Sequence, residues 1–194
     1  MNHDGYDDAY IREILNNVKT IAMVGASPQN IRPSYFAFKY LAARDYDMIP
    51  INPGHVGKEL LGKPFVASLA AIDRPVDMID IFRGADQVMG VVDEALGMSS
   101  LPKVIWMQLG VRHDEAAAKA EAAGIKVVMN RCPKIEYGRL SSEISWMGVN
   151  SKVLSSRRGA VPTIGMRLSL NRPTFGGAAT SAADRAAKNK TDSA

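Results

Sequence analysis

Five short stretches carry residue types that could handle a charged ligand. They are Gly25-Ala26-Ser27-Pro28, Asn52-Pro53-Gly54-His55, Phe82-Arg83, Gln108-Leu109-Gly110 and Asn130-Arg131-Cys132-Pro133. Glycine permits tight turns and close backbone approach. Serine, asparagine, glutamine and histidine supply hydrogen bonds, and arginine supplies fixed positive charge. None of the five stretches contains Asp or Glu. Such a set suits an anion, above all a phosphate. Each stretch taken singly is also what an ordinary turn uses, so only convergence of all five would make a crevice.

The first stretch lies in AMVGASPQNIRPSY, residues 22–35. An apolar run meets Gly25, a polar loop follows, and a helical pattern begins near Ser34. This is the outline of a dinucleotide-binding turn with one glycine of three; Ser27 and Asn30 stand where the second and third would be. A serine there can donate its hydroxyl to phosphate. The N-terminus of the following helix adds positive potential, and Arg32 adds charge just before it. At the second strand end, NAD-binding domains place an acid for the ribose hydroxyls. Here the strand closes PINPG, with His55 and Lys58 beyond. That argues against NAD and leaves NADP open.

The elements that must position these loops alternate along the chain. Residues 6–18 have helical apolar spacing at Tyr10, Ile11, Ile14, Leu15 and Val18, with acids at the start where the helix dipole favours them. Five short apolar runs read as buried parallel strands: KTIAMVG, YDMIPIN, VDMIDIF, KVIWMQLG and IKVVMN. Between them, SYFAFKYLAARD (with Ser34 as N-cap), ADQVMGVVDEALGM and HDEAAAKAEAAG read as helices. EYGRLSSEISWMGV could add a last one. Strands alternating with helices imply an α/β fold with a doubly wound, Rossmann-type parallel sheet of five strands. The strand order expected is 3-2-1-4-5, with ligands at the carboxyl ends of the strands.

Composition sets the outer bounds. Apolar residues make up 46% and charged residues 23% of 194 residues, as in ordinary globular domains. No apolar run reaches the roughly 20 residues needed to span a bilayer, and the polar, acidic N-terminus is unlike a leader peptide. The single cysteine, Cys132, excludes an internal disulfide framework and a multi-cysteine zinc site. The expected compartment is the cytoplasm. The net charge of +4 is unevenly spread. Residues 151–194 are basic and rich in small and polar residues, so the expected organisation is a domain over 1–150 and a mostly disordered tail over 151–194. Within the tail, MRLSLNRPTF could dock locally. Without interleaved aromatics the tail argues against nucleic acid, and is read instead as a surface for a protein partner.

In the order and spacing of VGAS followed by RPSY, INPGH-x-GKE-x-x-G, VD-x-x-DIFR, WMQLGV and NRCPKIE, the chain resembles a stand-alone CoA-binding protein. It is similar to the domain that opens the alpha subunit of succinyl-CoA synthetase. The resemblance covers roughly residues 10–150 and implies coenzyme A, or an acyl-CoA, as ligand. It implies that the turn at Gly25 and Ala26 leads into a pyrophosphate site at Ser27, Pro28 and Asn30, with Arg32 and Ser34 behind. His55, after Asn52 and Pro53, would lie near the nucleotide end, where the synthetase has a lysine. Phe82 and Arg83 would flank the adenine or its phosphates; Met107, Gln108 and Leu109 would contact the CoA arm. Asn130 through Pro133, with Cys132 among them, would close the crevice near the thiol. The synthetase continues into a phosphohistidine domain, for which this chain has no length. A binder without ligase chemistry is implied.

Other residues carry less. Asp77 and Asp80 sit three apart in one strand, hence on opposite faces, and form no carboxylate pair. Met23, Met48, Met78, Met107 and Met129 read as core filler, and His113 as a solvated helix start. Cys132 has two readings: a buried inert thiol, or a thiolate favoured by Arg131 and Lys134 and able to exchange with a CoA disulfide. No metal site and no catalytic acid–base arrangement is expected. Three functions remain: a non-catalytic CoA or acyl-CoA binder, an NADP-dependent oxidoreductase-type domain, and a CoA-responsive regulatory protein.

Overall fold

The computed structural model describes residues 1–141. The chain opens with helix α1 (Asp8–Asn17), whose first turn is capped by Asp7 accepting a hydrogen bond from the Ala9 N–H at 2.8 Å. Strand β1 (Thr20–Val24) leads through the glycine turn into α2 (Pro33–Ala42), and β2 (Asp47–Ile51) follows. A small hairpin, β3 (Glu59–Leu60) and β4 (Lys63–Pro64), turns at Leu61 and Gly62, both at positive φ. Then come β5 (Met78–Ile81), α3 (Ala85–Leu96), β6 (Val104–Met107), α4 (Asp114–Ala122), β7 (Lys126–Val128) and α5 (Pro133–Leu140).

The five main strands form one parallel sheet in the order β2-β1-β5-β6-β7. Helices cover both faces. Val88, Val91, Val92 and Ala95 of α3 and Ala116, Ala117 and Ala120 of α4 pack on one side, against Ile49, Ile79, Ile81 and Ile105. On the other side, Ile11, Ile14, Ala37, Phe38 and Leu41 of α1 and α2 pack against Ile21, Met23, Met48, Met78 and Trp106, with Tyr137 and Leu140 of α5 alongside. Burial on both faces is why the strands read as unbroken apolar runs. The α/β, doubly wound parallel architecture is therefore as the alternation predicts, and all five strand methionines are core.

The expected order, 3-2-1-4-5, is corrected to 2-1-3-4-5 when the main strands are counted along the chain. The third strand, β5, pairs with the free side of β1 and leaves β2 at the edge. The physical reason is Pro50. A proline has no N–H to give a neighbouring strand and belongs on an edge. The Pro50 carbonyl points outward and accepts from the Val66 N–H at 2.9 Å, where the hairpin's exit chain covers the end of the edge. A β2 placed centrally would have left a ladder donor missing.

Two helix starts also differ from expectation. Arg32, not Ser34, is the N-cap of α2; Pro33 takes the first helical position, its φ already set for a helix, and Ser34 is buried inside the first turn. His113 is not simply solvated: its Nδ1 accepts from the Ala116 N–H at 3.3 Å and caps α4. The last helix begins at Pro133, before the expected stretch. The remainder of that stretch, the domain end at 150 and the 151–194 tail lie outside the described residues.

Candidate functional site

The carboxyl ends of β1, β2, β5 and β6 open into two neighbouring cavities, walled by α2 and the start of α5. The first, about 440 Å³, is lined by Gly25, Ser27, Gln29, Arg32, Pro33, Ser34, Asn52, His55, Phe82 and Arg83. The second, about 600 Å³, includes Ile31, Phe36, Leu109, Val111, Cys132 and Ile135 in its walls, with Gln108 and Lys134 as polar members. Pro33, Phe82 and Arg83 border both. One cavity is polar and cationic, the other apolar, and they share a wall. No Asp or Glu lines either.

The polar end is built by backbone geometry. Gly25 sits at φ +85°, and its N–H donates to the Ile51 carbonyl at 2.9 Å. A β-carbon there would lie 2.4 Å from the Phe82 carbonyl oxygen, so only glycine fits. The loop then feeds α2, whose N-terminal residues Arg32, Pro33 and Ser34 face the cavity with the positive end of the helix dipole. Gln29 accepts from Arg32 Nε at 3.3 Å and steadies the guanidinium. Asn52 is held in place by two bonds: Nδ2 donates to the Ala26 carbonyl at 2.8 Å and Oδ1 accepts from the Gly54 N–H. His55 packs edge-on against Phe65, at 5.3 Å between ring centroids, and its Nδ1 is buried without a protein partner. The hairpin, which the sequence did not announce, supplies that Phe65.

At the apolar end, Cys132 is buried at the N-cap of α5. Burial pushes its thiol up to about 11, against the pull of the Ile135 and Lys134 backbone N–H groups. Desolvation outweighs the nearby cation, which favours the inert-thiol reading of Cys132 over the thiolate one. Arg131 is turned away, toward Glu136 at 3.7 Å and over the Tyr6 ring. Lys134 joins Arg83 in supplying the charge at this cavity.

Most of the singled-out residues converge: Gly25, Ser27, Arg32, Ser34, Asn52, His55, Phe82 and Arg83 at the polar end, and Gln108, Leu109 and Cys132 at the apolar end. The structure places others elsewhere. Met107 is fully buried against the α3 side of the sheet, because it alternates with Trp106 and Gln108. Ala26 is buried in the core. Pro28, Asn30, Pro53, Asn130 and Pro133 line neither cavity. Asn130, at φ +54°, accepts from the Gly110 N–H and ties two loops together. Sequence reading missed Ile31, Phe36, Val111 and Ile135, since apolar residues carry no chemical signal until a fold gathers them. Among the described residues no cluster of metal-ligating side chains occurs, and no helix is long and apolar enough to cross a membrane.

Comparison with known proteins decides the family. The model of the CoA binding domain matches residues 19–138, which span every loop described above. The chain belongs to the CoA binding domain family. Within and around this domain, it is 36% identical over 129 residues to the uncharacterized protein YneT of Bacillus subtilis (strain 168), covering 66% of this chain and 93% of that one. The domain also resembles a solved structure from Thermus thermophilus, cell-free ID.343, at 38% identity and TM-score 0.66. That match covers 70% of this chain and 99% of the other. A hypothetical protein from Pyrococcus horikoshii OT3 is similar at 37% identity and TM-score 0.67, covering 73% and 96%. These relatives are themselves small chains built around the same domain.

Proposed function

We propose that this protein is a cytoplasmic, non-catalytic binder of coenzyme A or an acyl-CoA, held in the crevice at the carboxyl ends of the strands. The observation that carries this is the shared wall at Pro33, Phe82 and Arg83 between a cationic and an apolar cavity. Coenzyme A has the matching two-part form, a multiply charged nucleotide and a long neutral arm. Arg32, Arg83 and the α2 N-terminus would take the phosphates. Ser27 and His55 would add hydrogen bonds, and the Ile31, Phe36 and Ile135 walls would cover the arm. Family membership supports the same ligand class. An NADP-dependent reaction is less well served, because neither cavity is lined by an Asp or Glu that could act as its acid or base. The lone, buried cysteine is at ease in a reducing compartment.

Titration calorimetry tests this. Coenzyme A is expected to bind at micromolar affinity or better, about −8 kcal/mol, with NAD and NADP far weaker. Equal or tighter binding of either dinucleotide overturns the reading.

A further inference from the structure

Among the described residues, Asp80 is the one carboxylate in the middle of the sheet, and the site described above does not use it. It lies on β5 between Met23 of β1 and Trp106 of β6, with no solvent exposure. Its register partners Met23 and Trp106 belong to the face packed by α1 and α2, and its bond to Gln108 joins it to the lining of the apolar cavity. Contrast Asp77, three residues earlier. Asp77 accepts from the Lys19 and Thr20 N–H groups and pairs with Lys103 at 2.7 Å, which accounts for it as structure. Asp80 receives a single hydrogen bond, from Gln108 Nε2 to Oδ1 at 2.7 Å, and its Oδ2 has no partner. A buried carboxyl left half-satisfied costs stability. A hydrophobic residue would fill the position at less cost.

What Asp80 does is orient Gln108. With Oδ1 as the acceptor, the Gln108 amide nitrogen points at Asp80. The ionised carboxylate enforces this orientation because it has no proton to give Oε1, so the ligand comparison below is read at pH 8 or above. Gln108 lines the apolar cavity, and among the described residues no protein donor reaches its Oε1. We propose that Asp80 is a positioning residue that presents Gln108 Oε1 as a hydrogen-bond acceptor in the apolar cavity, selecting a ligand arm that carries amide N–H donors. The proposal rests on the coenzyme A reading and deepens it. Hydrophobic walls alone would accept an ester or hydrocarbon arm as readily as an amide one, whereas a buried acceptor penalises any arm that leaves it unpaired.

The test pairs coenzyme A with an analogue in which each arm amide is replaced by an ester, so that the N–H donors are lost. Adenosine 3′,5′-bisphosphate, which lacks the arm, is the control. In the native protein the ester analogue is expected to bind roughly 3- to 10-fold more weakly than coenzyme A, the range of one neutral hydrogen bond. In Gln108→Leu and in Asp80→Leu the two should bind alike, and the double variant should lose no more than either single one. Adenosine 3′,5′-bisphosphate should bind all four proteins equally. The proposal is overturned if the native protein does not discriminate amide from ester, or if the variants keep the discrimination. It is also overturned if bisphosphate binding falls with that of coenzyme A. Should Asp80→Leu not fold, Asp80→Asn takes its place: its amide can pair with either end of Gln108, so the discrimination is expected to narrow, and full discrimination in that variant overturns the role of Asp80. If the native protein binds neither coenzyme A nor the bisphosphate, the coenzyme A reading itself has failed, a distinguishable outcome.

Discussion

The α-carbon of Gly25 faces the carbonyl of Phe82 so closely that an added β-carbon would sit 2.4 Å from its oxygen. This contact joins the end of β1 to the end of β5, and both residues line the polar cavity. Gly25→Ala would meet a clash with backbone and would also be held at φ +85°. It is expected to cost about 2–4 kcal/mol of stability. Urea unfolding measures this. An unchanged midpoint would mean the turn can relax away from Phe82.

Arg32 is exposed at the mouth of the polar cavity. Arg32→Ala is expected to weaken coenzyme A by about 1.5–3 kcal/mol, the range for a hydrogen bond to a charged group. The loss should shrink with added salt. Because Arg32 would contact phosphate and not the arm, adenosine 3′,5′-bisphosphate should weaken by the same factor. Calorimetry at low and high salt checks both points.

Asp80 titrates in the opposite sense to the surface acids. Burial raises its carboxyl to about 7, with the Gln108 bond opposing the shift. The folded protein therefore holds a proton that the unfolded chain, at about 3.9, has released. Stability contributed by this group falls as pH rises from about 4 to 7 and then levels off. Asp47 and Asp77 are shifted below the usual range, so their stabilisation is lost only at more acid pH. Asp80→Asn should thus stabilise the protein more at pH 8 than at pH 5. Urea midpoints of native and variant protein at the two pH values give the sign directly.

For Cys132, a thiol raised to about 11 implies a small thiolate fraction at neutral pH. Alkylation by iodoacetamide should be slow at pH 7 and still accelerating well above about 8.5, the free-cysteine value. Intact-mass kinetics across that range would show it. A rate that plateaus below pH 8 would restore the redox-active reading.

Residues 1–150 are expected to fold and bind coenzyme A without the remainder of the chain. The family match ends at residue 138, and Arg139 already closes α5 onto α1 by pairing with Glu136 and Asp8. Thermal melting of the shortened chain with and without ligand is the measurement. Loss of the melting transition or of the ligand-induced shift would place an essential contact beyond residue 150.

Alternating apolar runs and amphipathic segments determined the fold class, the five strands and the order in which loops leave them, because these depend on local periodicity. Loop polarity likewise marked Gly25, Ser27, Arg32, His55, Phe82, Arg83 and Gln108. Strand order needed the tertiary structure. The edge signal was present at Pro50, but it acts through a missing partner across the sheet, which local pattern does not display. The apolar cavity also had to wait, since Ile31, Phe36, Val111 and Ile135 come from three separate segments brought together by α2 and α5 sharing one face. Asp80 shows the limit most clearly. Its place in a strand was legible, yet its solitary bond to Gln108 and its unpaired oxygen arise from what the neighbouring strands and helices leave around it. Desolvation is a property of the assembled interior, so the same holds for the protonated state of Cys132.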